Sequence, residues 1–184
     1  MIVDLAVYHD GHRQPGELEL AAALEAGREP GSFVWVGLYE PSMEEFDAVR
    51  AEFALHELAV EDAVNAHQRP KIEEFDDSLF AVLKTVESIS EGDESGDAYL
   101  IGEVDIFVGR NYVLSVRHHT QKGFSDVRAR CEREPELLRH GSGFVFYALM
   151  DAVVDRYFPI LDELEEALQE AEDRMFDSAS SRAK

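Results

Sequence analysis

The chain has 184 residues, enough for one domain with a substantial core, and 45% of them are hydrophobic, which excludes global disorder. Its 39 acids against 17 lysines and arginines leave a formal charge of −22, the wrong sign for a nucleic-acid surface, which needs clustered cations. A single cysteine, Cys131, excludes an internal disulfide and any zinc site built on two thiolates, and it suits a reducing compartment.

No run of about 18 uncharged apolar residues occurs, so no stretch reads as a membrane span. The N-terminal MIVDLAVYHDGHRQPGE has acids inside its apolar part and no basic start, unlike a secretory signal. Catalytic patterns are missing too. There is no phosphate-cradling G-x-x-x-x-G-K-[ST], no G-x-G-x-x-G and no G-x-S-x-G, and Val60 stands where a zincin motif opened by His56-Glu57 needs its second histidine. The sequence speaks against an enzyme.

In chain order, Ile2 to Tyr8 predicts a strand, closed by a turn at His9-Asp10-Gly11. His9 and His12 are explained by that polar turn without a metal. Glu17 to Ala26 predicts a short helix stopped by Gly27. FVWVGLY, Phe33 to Tyr39, is the β-prone kind of run that lies buried in a sheet, and Pro41 breaks it. Ser42 with Glu45 three residues on forms a capping box, so a helix follows to about Ala54.

The stretch from His56 to Lys84 joins a short helix carrying Glu61 and Asp62 to an HQRPK turn and an apolar strand, Leu79 to Val86. Pro70 disfavours helical angles at Arg69, so the helix should end by about His67. On a 3.6-residue wheel Asp62 falls among Leu55, Leu58, Ala59 and Ala66, and an acid on an apolar arc needs a partner. Arg69, Lys71, a helix N-terminus or a cation from solution could each serve.

Glu87 to Asp97 is acidic and glycine-bearing and predicts an exposed mobile loop. Beyond it, Leu100, Val104, Ile106 and Val108 alternate with Glu103 and Asp105, which predicts a strand whose acidic side faces water. Gly109-Arg110-Asn111 turns it into Tyr112 to Arg117 as an antiparallel hairpin, with His118 and His119 read as surface residues. Gly123 to Arg139 should be helical, interrupted near Pro135 and ended at Gly141. From Ser142 to Phe176 a single helix of roughly 50 Å is expected, kinked at Pro159. Along it Tyr157, Leu161, Leu164, Leu168, Ala171 and Met175 repeat at coiled-coil spacing, while Asp151, Asp155 and Asp162 fit an acidic solvent face.

Two of these stretches are familiar. VEDAVNAHQRPKIEEFDDSLFAVLK, with its acid pair, N-x-HQRPK turn and following strand, resembles the cytoplasmic domain of the CorA family of magnesium transporters. YALMDAVVDRYFPILDELEEALQEAE, residues 147–172, resembles the start of that family's long stalk helix. The resemblance implies an α/β/α sandwich with a mixed, partly antiparallel sheet over residues 1–141, and the beginning of the stalk helix over 142–184. The family's membrane part and Gly-Met-Asn pore motif are not in this sequence, which ends in DSASSRAK soon after the seam begins. A piece of a longer chain is therefore expected.

The resemblance further implies a full-length pentamer at the cytoplasmic face of the cell membrane, conducting Mg²⁺ and in some members Co²⁺ or Ni²⁺. Regulatory Mg²⁺ between neighbouring cytoplasmic domains would hold the pore closed. Carried over residue by residue, the family's acid pair falls on Glu61 and Asp62, and the acid of its L-[IM]-D-A motif on Asp151. The neighbour's share of that site belongs to a later part of the stalk. Two other readings stand beside this one: a ZntB-type transporter of the same superfamily, with Zn²⁺ as its metal, and a structural oligomerisation module without a specific metal site.

Overall fold

The computed structural model describes residues 1–16, 18–89 and 98–182, with side chains as far as Met175. Its strands are β1 (Ile2–His9), β2 (His12–Arg13), β3 (Ser32–Tyr39), β4 (Lys71–Phe75), β5 (Ser78–Ser88), β6 (Tyr99–Val108) and β7 (Tyr112–His118). Its helices are α1 (Leu20–Gly27), α2 (Met43–Phe53), α3 (Glu57–Asn65), α4 (Ser125–Glu132), α5 (Pro135–Leu138), α6 (Ser142–Asp155) and α7 (Tyr157–Arg182). The strands form one sheet in the order β2-β1-β3-β7-β6-β5-β4. β3 and β7 run parallel, and all other neighbours run antiparallel.

Side-chain alternation along the strands separates two apolar layers. On one face Val34, Val36, Leu38, Val82, Phe107 and Val116 meet Leu24 of α1, Phe46 and Phe53 of α2, and Ala59 and Ala63 of α3. On the other face Phe33, Trp35, Val104 and Ile106 meet Val127 of α4, Leu138 of α5, and Val145 and Leu149 of α6. Helices cover both faces of a mixed sheet, which is the α/β/α sandwich expected from the sequence.

Local signals act as their chemistry predicts. Ser42 Oγ accepts from the N–H of Glu45 at 3.3 Å, and the Glu45 carboxylate accepts from the N–H of Ser42 at 2.9 Å, closing the capping box of α2. That helix ends on Ala54 in the left-handed region. The turn before β2 needs its glycine: Gly11 has φ +79°, and a Cβ there would stand 2.1 Å from the carbonyl oxygen of Pro135.

Four expectations need correction. β4 was not foreseen, because KIEEF is a charged strand at the sheet edge and carries no buried run; its Ile72 is exposed. The acidic side of β6 does not face water. Glu103 and Asp105 are fully covered, since they project to the same side as Phe107, beneath α2 and α3. His118 is buried as well, and only His119 lies at the surface. Finally, the helix expected from Ser142 is two helices. Pro159 has no N–H to offer the preceding turn, and the break falls at Arg156, which places Pro159 in the first turn of α7.

The helix expected from Glu17 to Ala26 runs from Leu20 to Gly27, because Glu19 is extended, and Glu17 itself and the body of the expected acidic loop, residues 90–97, lie outside the described residues; Glu87 and Ser88 belong to β5. α6 lies within the sandwich, whereas α7, about 39 Å long, leaves it. Ile160 and Tyr157 anchor its start, the tyrosine hydroxyl donating to the carbonyl of Lys84 at 2.5 Å. Farther along, Leu161, Leu164, Leu168 and Met175 are exposed.

Candidate functional site

α3 opens on His56, whose Nδ1 accepts from the N–H of Leu58 at 3.3 Å and whose ring stacks on Phe75, 4.2 Å between centroids. The helix buries Ala59, Val60 and Ala63 against the sheet. That orientation leaves Glu61 exposed and Asp62 half-buried beside the edge strand β4. Asp62 Oδ2 accepts from Lys71 Nζ at 2.8 Å, and the same ammonium reaches Glu73 at 2.8 Å. Of the partners its wheel position allows, Asp62 therefore uses Lys71. Hydrogen bonds to Asp62 and then to Glu73 raise the lysine pKa. A shallow groove bounded by Leu58, Glu61, Asp62, Lys71, Glu73 and Glu74 carries four carboxylates around one cation.

Asp151 stands on α6, half-buried, where its Oδ2 accepts from Arg130 Nη2 at 3.0 Å. α6 packs on the face of the sheet opposite α3. The structure thus brings Glu61 and Asp62 together and places Asp151 on the other side of the sheet. Among the described residues, no three histidine, cysteine, aspartate or glutamate side chains group closely enough to hold a metal ion. Their oxygen chemistry suits Mg²⁺, which takes few carboxylates and keeps its waters, but one chain alone does not assemble them.

A second polar cluster lies inside the sandwich. Lys84 Nζ donates to Glu103 Oε2 at 2.5 Å, while Glu103 Oε1 and both oxygens of Asp105 have no hydrogen-bond partner among the described residues. Burial, with the Glu103 charge adding to it, pushes the Asp105 carboxyl up to about 8. His118 Nδ1 lies 3.4 Å from Glu40 Oε2, and Glu40 Oε1 accepts from the N–H of His119 at 2.7 Å. Glu87 accepts from the Thr120 hydroxyl and from the N–H groups of Gln121 and Lys122. Two carboxylates thus tie down the segment that leads from β7 into α4.

A model of the CorA-like Mg²⁺ transporter protein family matches residues 30–183. The chain belongs to this family. The CorA family is one of transporters rather than enzymes. A putative metal ion transporter of Bacillus subtilis, YfjQ, is 34% identical over 77% of this chain and 42% of its own length. The cobalt/magnesium transport protein CorA of Thermotoga maritima is 29% identical over 68% of this chain and 35% of its own length. The chain therefore spans less than half the length of these curated relatives.

Among solved structures, the soluble domain of CorA from Methanocaldococcus jannaschii superposes with a TM-score of 0.62 at 18% identity, covering 96% of this chain and 66% of that one. The ZntB cytoplasmic domain of Vibrio parahaemolyticus shares the fold at a TM-score of 0.59 and 14% identity, over 75% of this chain and 54% of its own. At these identities the likeness is one of fold. No helix among the described residues is long and apolar enough to cross a membrane.

Proposed function

We propose that this chain is the cytoplasmic, Mg²⁺-sensing domain of a CorA-type channel that conducts Mg²⁺, and Co²⁺ or Ni²⁺ with it, across the cell membrane as a pentamer. The observation that carries the reading is the family match over residues 30–183, which includes the Glu61-Asp62 pair, the HQRPK turn and Asp151. In this reading residues 1–141 are the sensing domain and 142–184 open the stalk, whose first helix, α6, packs into the sandwich while α7 leads away from it.

Glu61, Asp62 and Asp151 hold the regulatory Mg²⁺ between subunits. Their placement supports this. The sheet separates Asp151 from the other two within one chain, so these carboxylates can meet only where two chains meet. Two carboxylates about 4 Å apart repel by roughly 4 kcal/mol at an effective dielectric near 20. A cation bound between them favours the packed arrangement, and its loss releases the subunits, because the ion binds one state better than the other. A chain of charge −22 makes that repulsion large wherever subunits approach.

The test is ion flux through the longer protein in vesicles loaded with a Mg²⁺-sensitive dye. Saturable Mg²⁺ entry is expected, inhibited by Mg²⁺ on the side of this domain, with the inhibition relieved in Asp62→Ala/Asp151→Ala. Absence of Mg²⁺ entry overturns the transport reading, and unchanged inhibition in the variant overturns the site. Zn²⁺ entry in place of Mg²⁺ would make the protein a ZntB-type transporter.

A further inference from the structure

Arg117, near the end of β7, is anomalous in so acidic a chain. Every other half-covered or buried cation with a described environment ends on a carboxylate: Lys71 on Asp62, Lys84 on Glu103, Arg128 on Asp4, Arg130 on Asp151 and Arg156 on Asp126. Arg117 is half-buried and has no carboxylate within salt-bridge distance among the described residues. Its guanidinium lies over the ring of Tyr39, 4.9 Å from the centroid.

Arg117 lines a cleft between β1, β3, β7 and the start of α4, together with Asp4, Arg128, Ser115, Gly123 and Ser125. Arg128 is almost fully buried. It spends Nε on Asp4 at 2.6 Å, Nη1 on the Tyr8 hydroxyl at 3.1 Å and Nη2 on the Trp35 carbonyl at 3.4 Å, so it acts on the cleft as a positive charge and not as a hydrogen-bond donor. The nearby carboxylates are already committed: Asp4 to Arg128, Asp126 to Arg156, and Glu87 to the segment from Thr120 to Lys122. α4 begins on Phe124 with no side-chain cap, so its first N–H groups add donors at the rim.

We propose that this cleft binds a small oxyanion of the phosphate class, held by Arg117 and flanked by Arg128 and the hydroxyl of Ser125. A planar guanidinium donates two parallel N–H bonds to two phosphate oxygens, which a hydrated ammonium does not match. Burial above all lowers the Arg117 pKa, with Arg156 adding to it and Tyr39 and Glu87 opposing it, and an anion in the cleft favours the charged form. The site lies on the α4 side of the sheet, away from Glu61 and Asp62, and does not depend on the transport reading.

Inorganic phosphate is titrated against sodium chloride at matched ionic strength in metal-free buffer, with the unfolding midpoint followed for this chain, Arg117→Gln and Arg117→Lys. A saturable rise with phosphate is expected, weakened about tenfold or more in Arg117→Gln and less in Arg117→Lys. If phosphate and chloride act alike on the unsubstituted chain, or if folded Arg117→Gln responds as it does, no such site exists.

Discussion

Oδ2 of Asp105 lies 3.8 Å from Nε2 of His118, both side chains are covered, and neither atom has a hydrogen-bond partner among the described residues. A buried carboxylate without donors avoids ionisation, because the charged form would lose its hydration for nothing. Around the pair stand Glu103 and Lys84 from the neighbouring sheet positions, Asp62 and Lys71 from the α3 side, and Glu40 and His119 at the strand end.

This has a definite consequence for pH. Asp105 titrates at 3.8 when unfolded and at about 8 when folded, so between those values the native state holds a proton that the unfolded chain has lost. Stability is then fully present below about pH 4, falls as pH rises toward 8 and levels off above it. Asp105→Asn should flatten that slope and stabilise the protein at pH 8 by a few kcal/mol, on a scale of about 1.4 kcal/mol per unit. Urea unfolding at pH 5, 7 and 9 measures it. A slope unchanged in the variant would show that Asp105 is not the group responsible.

Lys71 occupies Asp62 at 2.8 Å, so in the proposed function a divalent ion has to compete with it. Lys71→Gln should cost no more than about 1 kcal/mol, since both side chains of the pair are part-exposed and screened. It should strengthen the Mg²⁺ response, because Glu61, Asp62 and Glu73 are left without their cation. Calorimetric titration of Mg²⁺ into both proteins decides it, and a weaker response in the variant would mean that Lys71 helps to build the site.

The two C-terminal helices should respond differently to truncation. Leu149→Ala removes a fully buried side chain of α6 and should destabilise by about 2–5 kcal/mol. Leu168→Ala removes an exposed one from α7 and should change the stability of the single chain by less than about 0.5 kcal/mol. Denaturant unfolding in the dilute state compares them. If both cost the same, the α7 seam is already packed against something.

Ser42→Ala should cost about 1 kcal/mol, because it breaks the reciprocal cap of α2. Ser42→Asp should retain most of that stability, since the aspartate oxygen accepts the same N–H. Equal losses in the two variants, read from unfolding midpoints, would place the effect elsewhere.

What the sequence could and could not reveal follows from the range of each signal. The Ser42–Glu45 box, the Gly109–Asn111 hairpin and the stop at Gly141 are local, and each acts within a few residues. The Asp62–Lys71 pair was reachable as one of several partners, because nine residues separate the two and the HQRPK turn reverses the chain between them. The burial of Glu103, Asp105 and His118 was not legible from β6 or β7 alone. Alternation ordinarily marks a wet face, and only the packing of α2 and α3 over that face decides otherwise. β4 was hidden for the opposite reason: an edge strand needs no apolar run, and its pairing with β5 shows only once the sheet is assembled. Asp151 was read from its motif, but its place across the sheet from Glu61 and Asp62 is a property of the fold.

The central claim is that Mg²⁺ acts on this domain through Glu61, Asp62 and Asp151. The most direct measurement is thermal unfolding of the longer protein, stalk included, against Mg²⁺ concentration, with Na⁺ at matched ionic strength, with and without Asp62→Ala/Asp151→Ala. A saturable rise in midpoint with Mg²⁺ beyond that with Na⁺ is expected, lost in the double variant. Superimposed Mg²⁺ and Na⁺ curves, or an equal Mg²⁺ rise in the variant, would contradict it.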